Sequence, residues 1–216
     1  MSRSNDPESP KVTEFFDSKT NTFSYVVEDS KTAACAIIDS VLDLDYASGS
    51  ISHESANEII EYISNAKLNV EWILETHIHA DHLSAAPYLR EMLGGKIAIG
   101  EQVITIQKKF GAIFHEDSEF ERNGSQFDVL LTDHHSLNIG SVNGYVLHTP
   151  GHTPACMTYV FGDAVFVGDT LFMPDSGTAR ADFPGGDARQ LYRSIQKILS
   201  LPENSRVFVC HDYMPN

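Results

Sequence analysis

The sequence of 216 residues predicts an α/β domain made of two similar halves, and three observations predict it. Short apolar runs rich in β-branched and aromatic residues recur along the chain. Stretches with helical spacing lie between some of them, and the series of strands followed by a helix and a strand starts again after Phe127. A chain of this length buries one core, so a single domain over residues 1–216 is expected. Its first eleven residues, MSRSNDPESPK, lack the marks of a secretory or transit peptide and read as a flexible polar tail.

Taken in order, the expected strands are SYVVE, CAIID, WILET, KIAIG, FDVLL, YVLHT, MTYVF, AVFVGD and RVFVC. A first helix is predicted from Ser55, where Ser55 and Glu58 have capping-box spacing ahead of Ile59, Ile60 and Ile63, and it ends near Lys67. A second runs from Leu83 to Leu93, stopped by Gly94-Gly95, and a third from about Gln102 to Phe114. The last has Asp187 as its N-cap, places Leu191, Ile195, Ile198 and Leu199 on one face, and closes before Pro202. Residues 116–125 read as an exposed acidic loop, and Phe161-Gly162-Asp163 as a hairpin turn.

Composition excludes several function classes. Hydrophobic residues are 42% and charged residues 21%, the content of an ordinary globular protein, and no apolar run reaches the roughly 20 residues of a membrane span. A net charge of −15 repels nucleic-acid backbones and anionic lipid, so neither is an expected partner. An anionic small substrate needs a local cation, for which Arg180 is the best-placed candidate. Cys35, Cys156 and Cys210 are odd in number, have no CxxC spacing and sit in apolar runs, which fits buried thiols in a reducing, cytoplasmic setting.

The densest chemical signal is Thr76-His77-Ile78-His79-Ala80-Asp81-His82, directly after the apolar run WILE and before an amphipathic stretch. Alternation along a strand sends His77 and His79 to one side, and the following turn can return Asp81 and His82 toward them. Imidazole and carboxylate are the donors that zinc, iron and manganese sites use, so this cluster is a candidate metal site rather than a solvated His-rich loop. Pro150-Gly151-His152 and Gly168-Asp169 each place one donor just after a strand, behind a glycine that permits close approach or an unusual dihedral. His211 follows RVFVC in the same way, with Tyr213 two residues on. His53, His115, His134, His135 and His148 lack partner donors and are expected to be structural or solvated.

The series HxHxDH, GHT, GD and HDY, running from Lys11 to Tyr213, resembles the metallo-β-lactamase superfamily. The stretches TPGHTPACMTYVF, VGDTLFMPDSGTARADFPGGDARQLYRSI and VCHDY look like its persulfide (sulfur) dioxygenases more than its glyoxalase II hydrolases. The resemblance implies an αββα four-layer sandwich with the metal site at strand ends between two sheets. It implies one Fe(II) per chain held by His77, His152 and Asp169, with His79, Asp81, His82 and His211 around it or serving a second metal. Glutathione persulfide and O2 are the implied substrates, Tyr213 and Arg180 the implied catalytic residues, and Asp182 a brace or ion-pair partner for Arg180. A homodimer is left open. Two further readings stand beside this one: a glyoxalase II-like dinuclear zinc hydrolase of glutathione thioesters, for which every donor is present, and an inactive metal-binding module. The family continues past the position where this chain ends, so a C-terminal segment that completes the glutathione pocket is expected to be missing. Asp133-His134-His135 stands where relatives tend to have a glycine turn.

Overall fold

The computed structural model describes residues 9–115 and 120–213. Its strands are β1 (Lys11–Asp17), β2 (Thr22–Glu28), β3 (Ala34–Ile38), β4 (Val41–Asp45), β5 (Ser50–Ser52), β6 (Asn69–Leu74), β7 (Leu83–Ser84), β8 (Lys96–Gly100), β9 (Val129–Leu131), β10 (Gly144–His148), β11 (Met157–Phe161), β12 (Ala164–Phe166) and β13 (Arg206–Phe208). The helices are α1 (Glu54–Ala66), α2 (Ala86–Leu93), α3 (Val103–Ile113) and α4 (Ala188–Leu199). One sheet has the order β1-β2-β3-β6-β8-β9, the second β10-β11-β12-β13, and a small third β5-β4-β7.

Period-two alternation explains the layers. Along β3, Ala34, Ala36 and Ile38 face the second sheet, while Cys35 and Ile37 face α1 and α2. On β11, Met157, Tyr159 and Phe161 point into the same inter-sheet core, and Val160 points outward to the layer that holds Ile198 of α4. Helix, sheet, sheet and helix thus stack in four layers, the αββα sandwich. The sheets are also tied by a polar bond across the core, Tyr159 Oη donating to the Glu75 carbonyl at 2.7 Å. All three cysteines are buried and unpaired, as expected, and no helix among the described residues is long and apolar enough to cross a membrane.

Three expectations are corrected. Ser55 does not cap α1: the helix starts at Glu54 after His53, and Ser55 gives its amide and hydroxyl to Asp43 of β4 at 3.0 and 2.8 Å. A carboxylate on a neighbouring strand therefore satisfies a first-turn N–H that no cap side chain takes. The second helix begins at Ala86, not Leu83, because Leu83 and Ser84 pair with Leu42 and Val41 and Pro87 fits only in a first turn. The polar tail stops short of residue 11: Ser9 donates to Asp163, Pro10 accepts from Arg206, and Lys11 opens β1. Residues 1–8 of that tail, and 116–119 of the acidic loop, lie outside the described residues. Asp187 caps α4 by accepting from the Arg189 and Gln190 amides. Gly162 turns the β11–β12 hairpin at φ +57°, and His134 takes the glycine-like φ of +61° in its turn.

Candidate metal centre

The donors gather where strands of both sheets end. β6 delivers Thr76 and His77, the loop after β10 delivers His152, a 3₁₀ turn after β12 delivers Asp169, and the stretch after β13 delivers His211. His77 Nε2 lies 3.8 Å and His152 Nε2 3.6 Å from Asp169 Oδ2, and His211 Nε2 lies 3.3 Å from Asp169 Oδ1. His77, His152 and Asp169 are all buried, with one ligand atom from each within 4.8 Å of the others. The glycines before them are required by packing. At Gly151 (φ +147°) a Cβ would sit 2.3 Å from the Leu191 backbone, and at Gly168 (φ +51°) 2.6 Å from Thr76 Oγ1.

Hydrogen bonds fix which ring nitrogen faces the centre. The Thr76 hydroxyl donates to Asp39 Oδ2 (2.8 Å), so toward His77 Nδ1, 2.9 Å away, it acts as acceptor. His77 therefore carries its proton on Nδ1 and presents the Nε2 lone pair. His152 Nδ1 donates to the Arg180 carbonyl at 2.8 Å, with the same result. Burial, then the neighbouring imidazoles of His79, His152 and His211, hold His77 well below the usual histidine range, so it is a neutral ligand. Burial pushes Asp169 up against the pull of His211 and His152. Asp169 Oδ1 and His211 Nε2 are buried without hydrogen-bond partners. An unsatisfied buried carboxylate facing imidazole lone pairs is the arrangement a cation resolves, so these residues fit a metal ion.

His79 departs from its neighbours. Its Nε2 lies 3.1 Å from both Asp39 Oδ1 and Glu75 Oε2, and its side chain is 2% exposed. Burial opposes a charge there, but Asp39 and Glu75 outweigh it and raise His79 well above its usual range. Its Nδ1 is buried without a hydrogen-bond partner, and its ligand atoms also group with those of Asp81 and His82. Asp81 Oδ2 is 3.5 Å from His211 Nε2, and the buried His82 Nε2 has no partner. These two, with His79 Nδ1, Asp169 and His211, are the donors available to a second ion.

Tyr213 stacks its ring on His211 at 5.2 Å and meets Phe172 edge-on. Burial, aided by Asp169 and Asp81, raises its phenol above the ordinary tyrosine range, so it stays protonated. Arg180 is exposed and forked onto Asp182 at 2.6 and 2.8 Å, with its guanidinium over the Phe183 ring. Its carbonyl orients His152. Asp39 and Glu75 were missed from sequence. Each lies at the end of a run read as a strand, CAIID and WILET, and Asp39 takes the positive φ of 51° that aspartate tolerates better than most residues. His148 bonds the Pro154 carbonyl and His53 stacks on Tyr88, both structural.

The profile of the Metallo-beta-lactamase superfamily matches residues 18–211. The chain belongs to that superfamily. Among curated relatives, a probable metallo-hydrolase of Burkholderia pseudomallei is 54% identical, over 94% of this chain and 72% of its own length. Glyoxylase B2 of Dictyostelium discoideum is 49% identical over 95% of this chain and 71% of its own length. Mouse mitochondrial persulfide dioxygenase ETHE1 is 29% identical over 93% and 67%. The chain spans about half (48%) of the Beta-lactamase hydrolase-like protein of Xylella fastidiosa, to which it is 51% identical. The crystal structure of ETHE1 from Myxococcus xanthus superposes with a TM-score of 0.74 and 28% identity, covering 95% of this chain and 77% of that one. As a metallo-β-lactamase-superfamily chain, it has its candidate donors at the strand ends between the two sheets.

Proposed function

We propose that the protein is a persulfide dioxygenase, converting R–S–SH, O2 and water to R–SH, sulfite and two protons, with glutathione persulfide as the substrate the sequence resemblance names. The observation that carries this reading is the convergence of His77, His152 and Asp169, one ligand atom from each within 4.8 Å of the others, as a two-histidine, one-carboxylate face. Ferrous iron held there would supply the redox chemistry between dioxygen and sulfur. The protein's own part is positional. Thr76 and the Arg180 carbonyl aim the two imidazoles. Tyr213, protonated beside His211, offers a hydrogen bond at the mouth, and the Arg180 side chain, braced by Asp182, supplies a nearby cation.

A second reading, a dinuclear hydrolase of glutathione thioesters, is favoured by the free Nε2 atoms of His82 and His211 beside Asp81 and Asp169. It is also favoured by the names of the relatives near 50% identity. Metal analysis with paired assays separates the two. About one iron per chain and O2 uptake with glutathione persulfide support the dioxygenase, whereas two zinc ions with thioester hydrolysis overturn it.

A further inference from the structure

A cavity of about 400 Å³ lies beside the metal donors, within the range of roughly 300–1,000 Å³ typical of small-molecule sites. His79 and His152 stand in its wall, and His79 Nδ1 is buried without a partner. Helix α3 contributes Ile106, Gln107 and Phe110 to that wall, and the loops around the metal donors contribute Pro154, Phe183 and Pro184.

Three cations border this wall, in a chain whose net charge is −15. Arg180 lies over the Phe183 ring but is forked onto Asp182, so its charge is largely offset. Arg122 packs its guanidinium against Gly111 and has a partner of its own. Lys109 differs. It stands three residues on from Ile106, on the same side of α3, and its ammonium lies beside Pro154 and Gly185. A Cβ at Gly185 would sit 2.7 Å from Lys109 Nζ and 2.8 Å from Pro154 Cγ. Among the described residues no hydrogen bond or ion pair engages that ammonium. A lysine whose stem runs along apolar surface keeps its head available at the edge of a pocket. Proline and aromatic surface on one side also exclude part of the water that would screen the charge, which strengthens its pull on an anion.

We infer that Lys109 is a specificity-determining residue, receiving a carboxylate of the substrate at the rim of the cavity while the sulfur end faces His77, His152 and Asp169. Glutathione persulfide brings two carboxylates toward a strongly acidic chain, whose long-range field opposes them unless a local cation takes one. The inference rests on the proposed function for the identity of the substrate, but the contact it names acts in binding and is independent of turnover.

Calorimetric titration of the purified metal-loaded protein compares glutathione with its diethyl ester, in which both carboxylates are masked. Glutathione is expected to bind about 5- to 10-fold more tightly, as suits a charge-assisted contact at a partly exposed rim. Lys109→Ala removes that preference and Lys109→Arg keeps it, while Lys108→Ala, at the exposed position one residue back, does not alter it. With glutathione persulfide, Lys109→Ala acts on KM rather than on kcat. Glutathione binding no tighter than its ester, wild-type affinity in Lys109→Ala, or an equal loss in Lys108→Ala overturns the inference. If Lys109 governs glutathione binding while glutathione persulfide drives no O2 uptake, the carboxylate assignment stands and the dioxygenase reading falls.

Discussion

The cluster of His77, His152 and Asp169 and the cluster of Asp39, Glu75 and His79 use the same side-chain types at the same depth, yet they end in opposite electrostatic states. In the second, two carboxylates face one imidazole and Thr76 gives Asp39 both its amide and its hydroxyl. Burial alone would raise Asp39, but the His79 charge and the Thr76 bonds bring it below its usual range. That ring of partners engages both carboxylates and His79 Nε2, and leaves His79 Nδ1 open. In the first, one carboxylate faces several imidazoles whose lone pairs point inward, and an Asp169 oxygen has no partner. The ratio of acids to histidines, and which ring nitrogen is already taken, decide whether a buried cluster satisfies itself or calls for a cation.

The largest expected effect tests the first cluster. His152→Ala is expected to lower metal affinity by more than the roughly 10- to 100-fold that follows loss of a partner hydrogen-bonded to a ligand, read by competition with a chelator. His79→Ala should reduce loading far less, and equal losses would mean that both clusters hold metal. Thr76→Val, which frees the His77 ring without removing a donor, is expected to fall within that 10- to 100-fold band. In the second cluster the effect should appear as stability: Asp39→Asn is expected to lower the unfolding free energy by about 1.5–3 kcal/mol in denaturant titrations of metal-free protein. A smaller contrast comes from Asp29, ten residues before Asp39. Burial opposes its charge, yet Thr32, Lys31 and Ser141 donate to it and hold it well below the carboxylate range. A depressed carboxyl stabilises the fold above its unfolded pKa, near 4, and that contribution fades as pH falls toward the folded value. The gap between wild type and Asp29→Asn, about 1–3 kcal/mol at neutral pH, should therefore shrink below about pH 4.

Much of this was legible in the sequence because the relevant signals are local. Asp187, Gly94 and Gly162 act through their immediate neighbours, and the donors His77, His152, Asp169 and His211 each lie at or within three residues of the end of an apolar run. β1 and β4 escaped notice because KVTEFFD and VLDLD interleave charges with apolar positions and lack the continuous apolar runs of the central strands. The fate of His79 was not legible. Its partners are Glu75, four residues back, and Asp39, forty residues away, and only the parallel pairing of β3 with β6 brings Asp39 beside it. The same holds for Arg180, whose side chain drew attention in sequence while its carbonyl does the orienting.

The loop that carries His152 is pinned to α4 from three directions: Gly151 abuts Leu191, its carbonyl receives the Asp187 amide at 2.8 Å, and Ser194 donates to Pro150. The helix thus works like the stock of a vice for a histidine it never touches. A change at the buried Leu191 or Ser194 would loosen the seat of that imidazole while every donor stays unchanged.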